Sequence, residues 1–218
     1  MLNRKARPAA LCTVFAAIVA VGAVTTGTAR ASTNPDCPAL SDTGVVTPAP
    51  APGDDWSTCS LWQANLSGAN LTNVNLSGAN IASANLANTT FDDTNLTAAF
   101  MKNDVLSGAT ITDSVLVNTV LQGADLSNVS ITDSDLTGAN ILLTDTAGIK
   151  LSGIRSGGLF AQNPINLPTG WAAINRYLVG PTANFSGDVF SALAARPELD
   201  HADLAGGNFD AADMTGWS

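Results

Sequence analysis

The chain has 218 residues, with 18 acidic side chains against 9 basic ones and a formal net charge of −9. That balance argues against nucleic acid held on a basic patch. One histidine and three cysteines leave too few ligands for a zinc-type metal site.

Residues 1–31 read as a secretory signal. Arg4, Lys5 and Arg7 form a basic start, Ala9 to Val24 an apolar run, and Ala29-Arg30-Ala31 a small-x-small cleavage site before Ser32. The run is short for a spanning helix of about 20 residues, the alternative being a retained anchor. Cys12 follows Leu11, where a lipid-attachment signal wants a small residue. Cleavage would remove Arg4, Lys5, Arg7 and Arg30 but no acid, giving a strongly acidic mature chain without a membrane span. Such a chain is secreted or associated with the cell envelope.

Residues 32–58 form a Pro/Ala-rich N-terminal segment expected to cap the repeats. Thr47-Pro48-Ala49-Pro50-Ala51-Pro52-Gly53 favours an extended, polyproline-like path. Cys37 and Cys59 bracket it, and in an oxidising setting an even pair predicts a disulfide; two free buried thiols are the alternative. Trp56 and Trp62 stand where the repeats begin and are expected to cover their open end, a binding role being the alternative.

From residue 59 to 144 an apolar side chain recurs at every fifth position: Leu61, Leu66, Leu71, Leu76, Ile81, Leu86, Phe91, Leu96, Met101, Leu106, Ile111, Leu116, Leu121, Leu126, Ile131, Leu136 and Ile141. On an α-helix a step of five advances about 140° net, so the series would scatter around the axis. On a flat strand an odd step sends successive members to opposite faces. One core for all of them requires a corner in every repeat, hence a solenoid. Two places before the apolar centre sits a small residue in most repeats, such as Ala64, Ala79 or Ala99; one place before it sits Asn or Asp in most, such as Asn65, Asn80 or Asp125. Pairs such as Ser67-Gly68 and Ser107-Gly108 come directly after it and suit the corner.

The units Ala64-Asn65-Leu66-Ser67-Gly68 and Ala139-Asn140-Ile141 resemble the pentapeptide repeat family, whose unit is Ala-Asp/Asn-Leu-Ser/Thr-Gly. The resemblance implies an all-β fold, a right-handed quadrilateral β-helix with four units per coil. Residues twenty apart would then stack, so that Leu61, Ile81, Met101, Leu121 and Ile141 share one interior column. Asn65 over Asn85, and Asn75 over Asn95, would form side-chain ladders along the rod.

Several outward slots break the pattern. Phe100, Val105, Val115 and Val120 stand where Asn or Asp is usual, and Val117 follows Leu116 at the surface. An apolar set of this kind is a candidate partner surface, isolated surface apolar residues being the alternative. Asp92-Asp93, Asp104, Asp113, Asp133 and Asp145 read as a solvated acidic face. The Asn-x-Ser/Thr triplets are produced by the repeat itself and say little about glycosylation.

Residues 145–181 lose the five-residue spacing at Thr146. Ile154 to Asn163 and Gly170 to Val179 read as two strands about the Pro164 and Pro168 turns, and the resemblance implies a hairpin projecting between coils, with Trp171 and Tyr177 packing it on the rod. Over residues 182–218 repetition returns with Ala183-Asn184-Phe185 and continues through Leu199, Leu204, Phe209 and Met214. That terminal coil, with only Trp217 to cover it, is a candidate homodimer contact.

Catalysis finds little support. His201 lies between Asp200 and Asp203 in a repeat corner, but no nucleophile elbow or phosphate loop accompanies it, so a hydrolase is a remote alternative. No catalytic, metal or cofactor-binding residues are assigned. The expected function is a non-catalytic exported scaffold that binds a protein in the envelope or extracellular space. The family resemblance adds an alternative, a DNA mimic that binds a topoisomerase such as gyrase. Here the signal and the mostly Asn outward slot depart from that pattern.

Overall fold

The computed structural model describes residues 34–162, 165–174, 176–186, 208 and 210. The expectations for the signal peptide, His201, Trp217 and the terminal homodimer contact fall on residues outside this set.

The fold is a quadrilateral β-helix, right-handed as parallel crossovers prefer. Isolated parallel bridges join residues twenty apart, from Val45–Asn65 and Asp55–Asn75 to Asp135–Arg155 and Asn140–Phe160. Each side of the square holds an inward small residue, an outward residue and an inward apolar centre. Leu61 N–H donates to Asn80 C=O in the next coil at 2.7 Å, and Asn85 N–H donates back to Ala64 C=O at 2.9 Å. The corner closes as a β-turn, with Ala64 N–H bonded to Leu61 C=O at 3.0 Å and Gln63 at φ 61°. A left-handed residue recurs at this place from coil to coil, which is why Gly and Asn dominate it.

The apolar centres fill the tube. Leu66, Leu86, Leu106 and Leu126 form one buried column, and Leu61, Ile81, Met101, Leu121 and Ile141 the next. One side broadens into a four-stranded parallel sheet. Its strands are β3 (Thr90–Asp92), β4 (Thr110–Thr112), β5 (Ser130–Thr132) and β6 (Lys150–Ser152), in strict twenty-residue register. At its corner side-chain hydroxyls replace the turn carbonyl: Ser114 Oγ accepts Thr94 N–H at 3.0 Å and Ser134 Oγ accepts Ser114 N–H at 3.1 Å.

The start of the tube is capped. An antiparallel pair, β1 (Ala39–Leu40) and β2 (Val46–Thr47), folds over the first coil. The Cys37–Cys59 disulfide ties it down, Cys59 being fully buried in the small inward slot above Ala79. The Pro-Ala run is held to the rod by Gly53 N–H on Asn73 C=O at 3.2 Å. Trp56 fills an inward centre ahead of Leu76, whereas Trp62 is a half-exposed corner residue outside the core.

The register does not fail at Thr146. Thr146 takes the inward slot with its hydroxyl donated to Asn166 C=O at 2.5 Å, and Ser156 plays the same part, accepting Leu178 N–H at 2.9 Å. The aliphatic signal lapses there because hydroxyls with bonding partners fill the core positions, while the backbone coil runs on to Phe160. Ile154 and Leu159 are therefore buried coil residues, not members of a hairpin strand. The hairpin is β7 (Ala172–Ile174) with β8 (Tyr177–Val179), and it does not project. Leu178 and Val179 are buried, Trp171 and Tyr177 are half-buried, and the Tyr177 ring lies 6.4 Å from that of Phe185. Beyond it Asn184 bridges to Arg155 and Phe185 is buried, so the coil resumes.

Candidate interaction surface

Outward side chains divide among four sides and the corners between them. One side carries Ser60, Asn80, Phe100, Val120, Asn140 and Phe160 in a single bridged column. The corner after it holds Trp62, Lys102, Gln122, Leu142 and Leu143, and the corner before it Ser77, Thr97, Val117, Thr137 and Gly157. Neither this side nor its two corners contains an acidic residue between 57 and 162. The acids lie elsewhere: Asp125 and Asp145 on the following side, Asp55 and Asp135 on the preceding one, and Asp92, Asp93, Asp113 and Asp133 at the far corner.

Among the described residues, four of the seven large apolar ones that are exposed belong to the acid-free side and its corners: Trp62 at 52%, Phe100 at 42%, Leu143 at 64% and Phe160 at 51%. The Arg176 guanidinium covers Phe160 at 4.5 Å from the ring centroid and donates to the Leu159 and Gly158 carbonyls at 2.9 and 2.5 Å. Hydrogen bonds thus hold the cation on the ring, an arrangement worth about 0.5–1 kcal/mol when exposed.

Leu143 breaks two rules together. It occupies the left-handed corner at φ 61°, where a bulky side chain costs about 1 kcal/mol relative to Gly, and it leaves that side chain in water. Its N–H is held by Gln162 Oε1 at 3.2 Å.

The residues expected to form a patch are only partly brought together. Phe100 and Val120 share the acid-free side and Val117 lies at its edge, but Val105 faces the following side and Val115 the preceding one. Phe160, Leu142 and Leu143 enlarge the patch. Phe160 sits three coils beyond Phe100 in the same column, visible only once the register is carried through Thr146.

The Asn columns do not form the expected ladders. Asn65, Asn75, Asn85 and Asn95 accept the N–H two residues on, at 3.0 to 3.3 Å, because that corner donor is the nearest one otherwise unbonded. Among the described asparagines one coil-to-coil rung is formed, Asn75 Nδ2 to Asp55 Oδ1 at 2.9 Å. Hydrogen bonds from Ser57, with a further one from Asn75, hold the Asp55 carboxyl below the usual range.

Asp104 is not on a solvated face. It fills an inward slot taken by Ala64, Ala84 and Ala124 in neighbouring coils, and only 1% of it is exposed. Oδ1 accepts Ala84 N–H at 3.0 Å, whereas Oδ2 is buried without a partner. Burial pushes its pKa up to about 8.

Among the described residues no three His, Cys, Asp or Glu side chains converge as metal ligands. No described helix is long and apolar enough to cross a membrane.

Residues 59–97 and 105–141 match the model of the pentapeptide repeats, in eight copies. Solved structures of similar chains include two pentapeptide repeat proteins and a resistance protein. The alr5209 protein of Nostoc PCC 7120 is 21% identical, over 47% of this chain and 84% of its own, with a TM-score of 0.39. HetL of Nostoc sp. strain PCC 7120, involved in heterocyst differentiation regulation, is 19% identical over 79% of each chain, with a TM-score of 0.26. QnrB1, a plasmid-mediated fluoroquinolone resistance protein, is 16% identical over 74% of this chain and 83% of its own, with a TM-score of 0.29. No curated protein matches the chain.

Proposed function

We propose that this chain, a member of the pentapeptide repeat family, is an exported, non-catalytic scaffold that binds a protein partner through one side of its β-helix. The observation that carries this reading is the acid-free side, where Phe100, Val120, Leu143 and Phe160 gather on an otherwise acidic rod. Exposed apolar groups gathered on one surface mark an interaction site more often than the same groups scattered. Export is supported by the basic start and apolar run of residues 1–31, and by a Cys37–Cys59 disulfide of the kind that persists in oxidising compartments. No cofactor enters this reading.

Crosslinking in cells, with recovery from envelope and medium, tests it. The expected result is a crosslinked protein that is lost with Phe100→Asp and Phe160→Asp and kept with Val105→Asp, which changes a similarly exposed valine on another side. Equal recovery with all three would sink the proposal.

A second reading, DNA mimicry toward a topoisomerase, draws on the acidic corner of Asp92, Asp93, Asp113 and Asp133. That corner is one edge of the rod rather than a face. Inhibition of gyrase supercoiling that disappears with Asp113→Asn and Asp133→Asn would favour it over the scaffold.

A further inference from the structure

We infer that the acid-free side is a self-association surface, on which two copies of this chain pack side against side with their rods antiparallel. The inference rests on the reading of that side as the working surface and names its occupant.

Electrostatics select the side. Two copies with 18 acids against 9 bases each repel wherever their acidic surfaces meet. Acids on the two adjacent sides and at the far corner oppose any contact made there. The side holding Phe100, Val120 and Phe160 has none, and its rim charges are the cations Lys102 and Arg176. A pair joined on it keeps both sets of acids facing water.

The column is also complementary to itself. Phe100, Val120, Asn140 and Phe160 are successive rungs. A two-fold axis between Val120 and Asn140 sets Phe100 of one copy opposite Phe160 of the other, and Val120 opposite Asn140, which is the pattern an isologous contact requires. Arg176, bonded to two carbonyls, fixes the Phe160 ring before any partner arrives. Leu143 retains a strained backbone and an exposed side chain that contact with a second copy would cover.

Area limits the strength. The five coil steps from Ser60 to Phe160 span roughly 24 Å. A strip of that length is short of the ~800 Å² per partner of a standard interface, so the dimer is a weak and reversible one.

Sedimentation equilibrium from ~1 to ~300 µM, the range of weak reversible association, tests this on protein recovered from cells expressing the whole chain. The expected result is a shift from monomer to dimer, strengthened by salt, which screens the acids. Phe100→Asp with Phe160→Asp should weaken it at least tenfold, and Val105→Asp should leave it unchanged. A monomer at every concentration overturns the inference, as does a dimer indifferent to the phenylalanine pair. A monomer whose crosslinked partner is still lost with that pair refutes only the self-association; a dimer with no other partner recovered refutes only the scaffold reading.

Discussion

The Asp104 carboxyl accepts the Ala84 N–H of the preceding coil at 3.0 Å, from a slot that Ala fills in the neighbouring coils. The geometry is that of Ser114 on Thr94 and of Ser134 on Ser114. A hydroxyl does this without charge; a carboxyl escapes the cost of a buried charge only when protonated.

Burial raises the Asp104 pKa from 3.8 to about 8. Between those values the folded chain holds a proton that the unfolded chain releases, so stability is fully present below the unfolded pKa and is lost as pH rises through the folded one. The loss across that window is on the order of 5 kcal/mol. Thermal unfolding should therefore show Tm falling from pH 5 to pH 9, and Asp104→Ser should remove most of the slope. A wild-type Tm that rises over that range would contradict the assignment.

Corner stacking gives a second prediction. Gly108 and Gly148 lie at φ 72° and 71° directly over Asn88 and Asn128, and a Cβ there would sit 2.6 and 2.5 Å from the Asn Oδ1 atoms. At these corners, as at Asn103 under Gly123 and Asn118 under Gly138, the Asn side chain occupies the space a Cβ in the next coil would need. Gly108→Ala should cost about 2–3 kcal/mol, combining the left-handed backbone with the clash. Asn88→Gly in the same chain should return the part due to the clash, giving a coupling energy in a double-mutant cycle by urea unfolding. Additive effects would show that the two corners do not touch.

Much of the fold is legible because a period of five excludes both regular alternatives: Leu61 through Ile141 can share a core only by turning corners. What escapes is chemistry that contradicts its slot. Asp104 falls two places before Leu106, an inward position by register alone, yet an acid there reads as solvated. Thr146 and Ser156 hide the continuing coil because hydroxyls satisfied by Asn166 and Leu178 replace aliphatic centres, and those partners come from the hairpin segment, far along the chain. The acid-free side stays hidden for the same reason, since Phe160 joins Phe100 only when that coil is counted.

The disulfide closes the cap over the first coil, with 22 residues of separation between Cys37 and Cys59. A loop of that length is worth about 3 kcal/mol. Cys37→Ser with Cys59→Ser should lower stability by that amount while leaving association through Phe100 unchanged, as the cap lies at the end of the rod. Urea unfolding and sedimentation of the same sample check both halves.

Leu143 separates stability from binding. Because it holds φ 61° with 64% of its surface exposed, Leu143→Asn places a residue that tolerates the left-handed region and gives up no buried contact. Stability of the monomer should rise by about 0.5–1 kcal/mol. Association through the acid-free side should weaken in the same variant, since the apolar group at its corner is gone. Changes of opposite sign in the two measurements identify strain retained for contact. If stability falls instead, Leu143 is packed more closely than its exposure indicates, and its corner is a structural element rather than part of the surface.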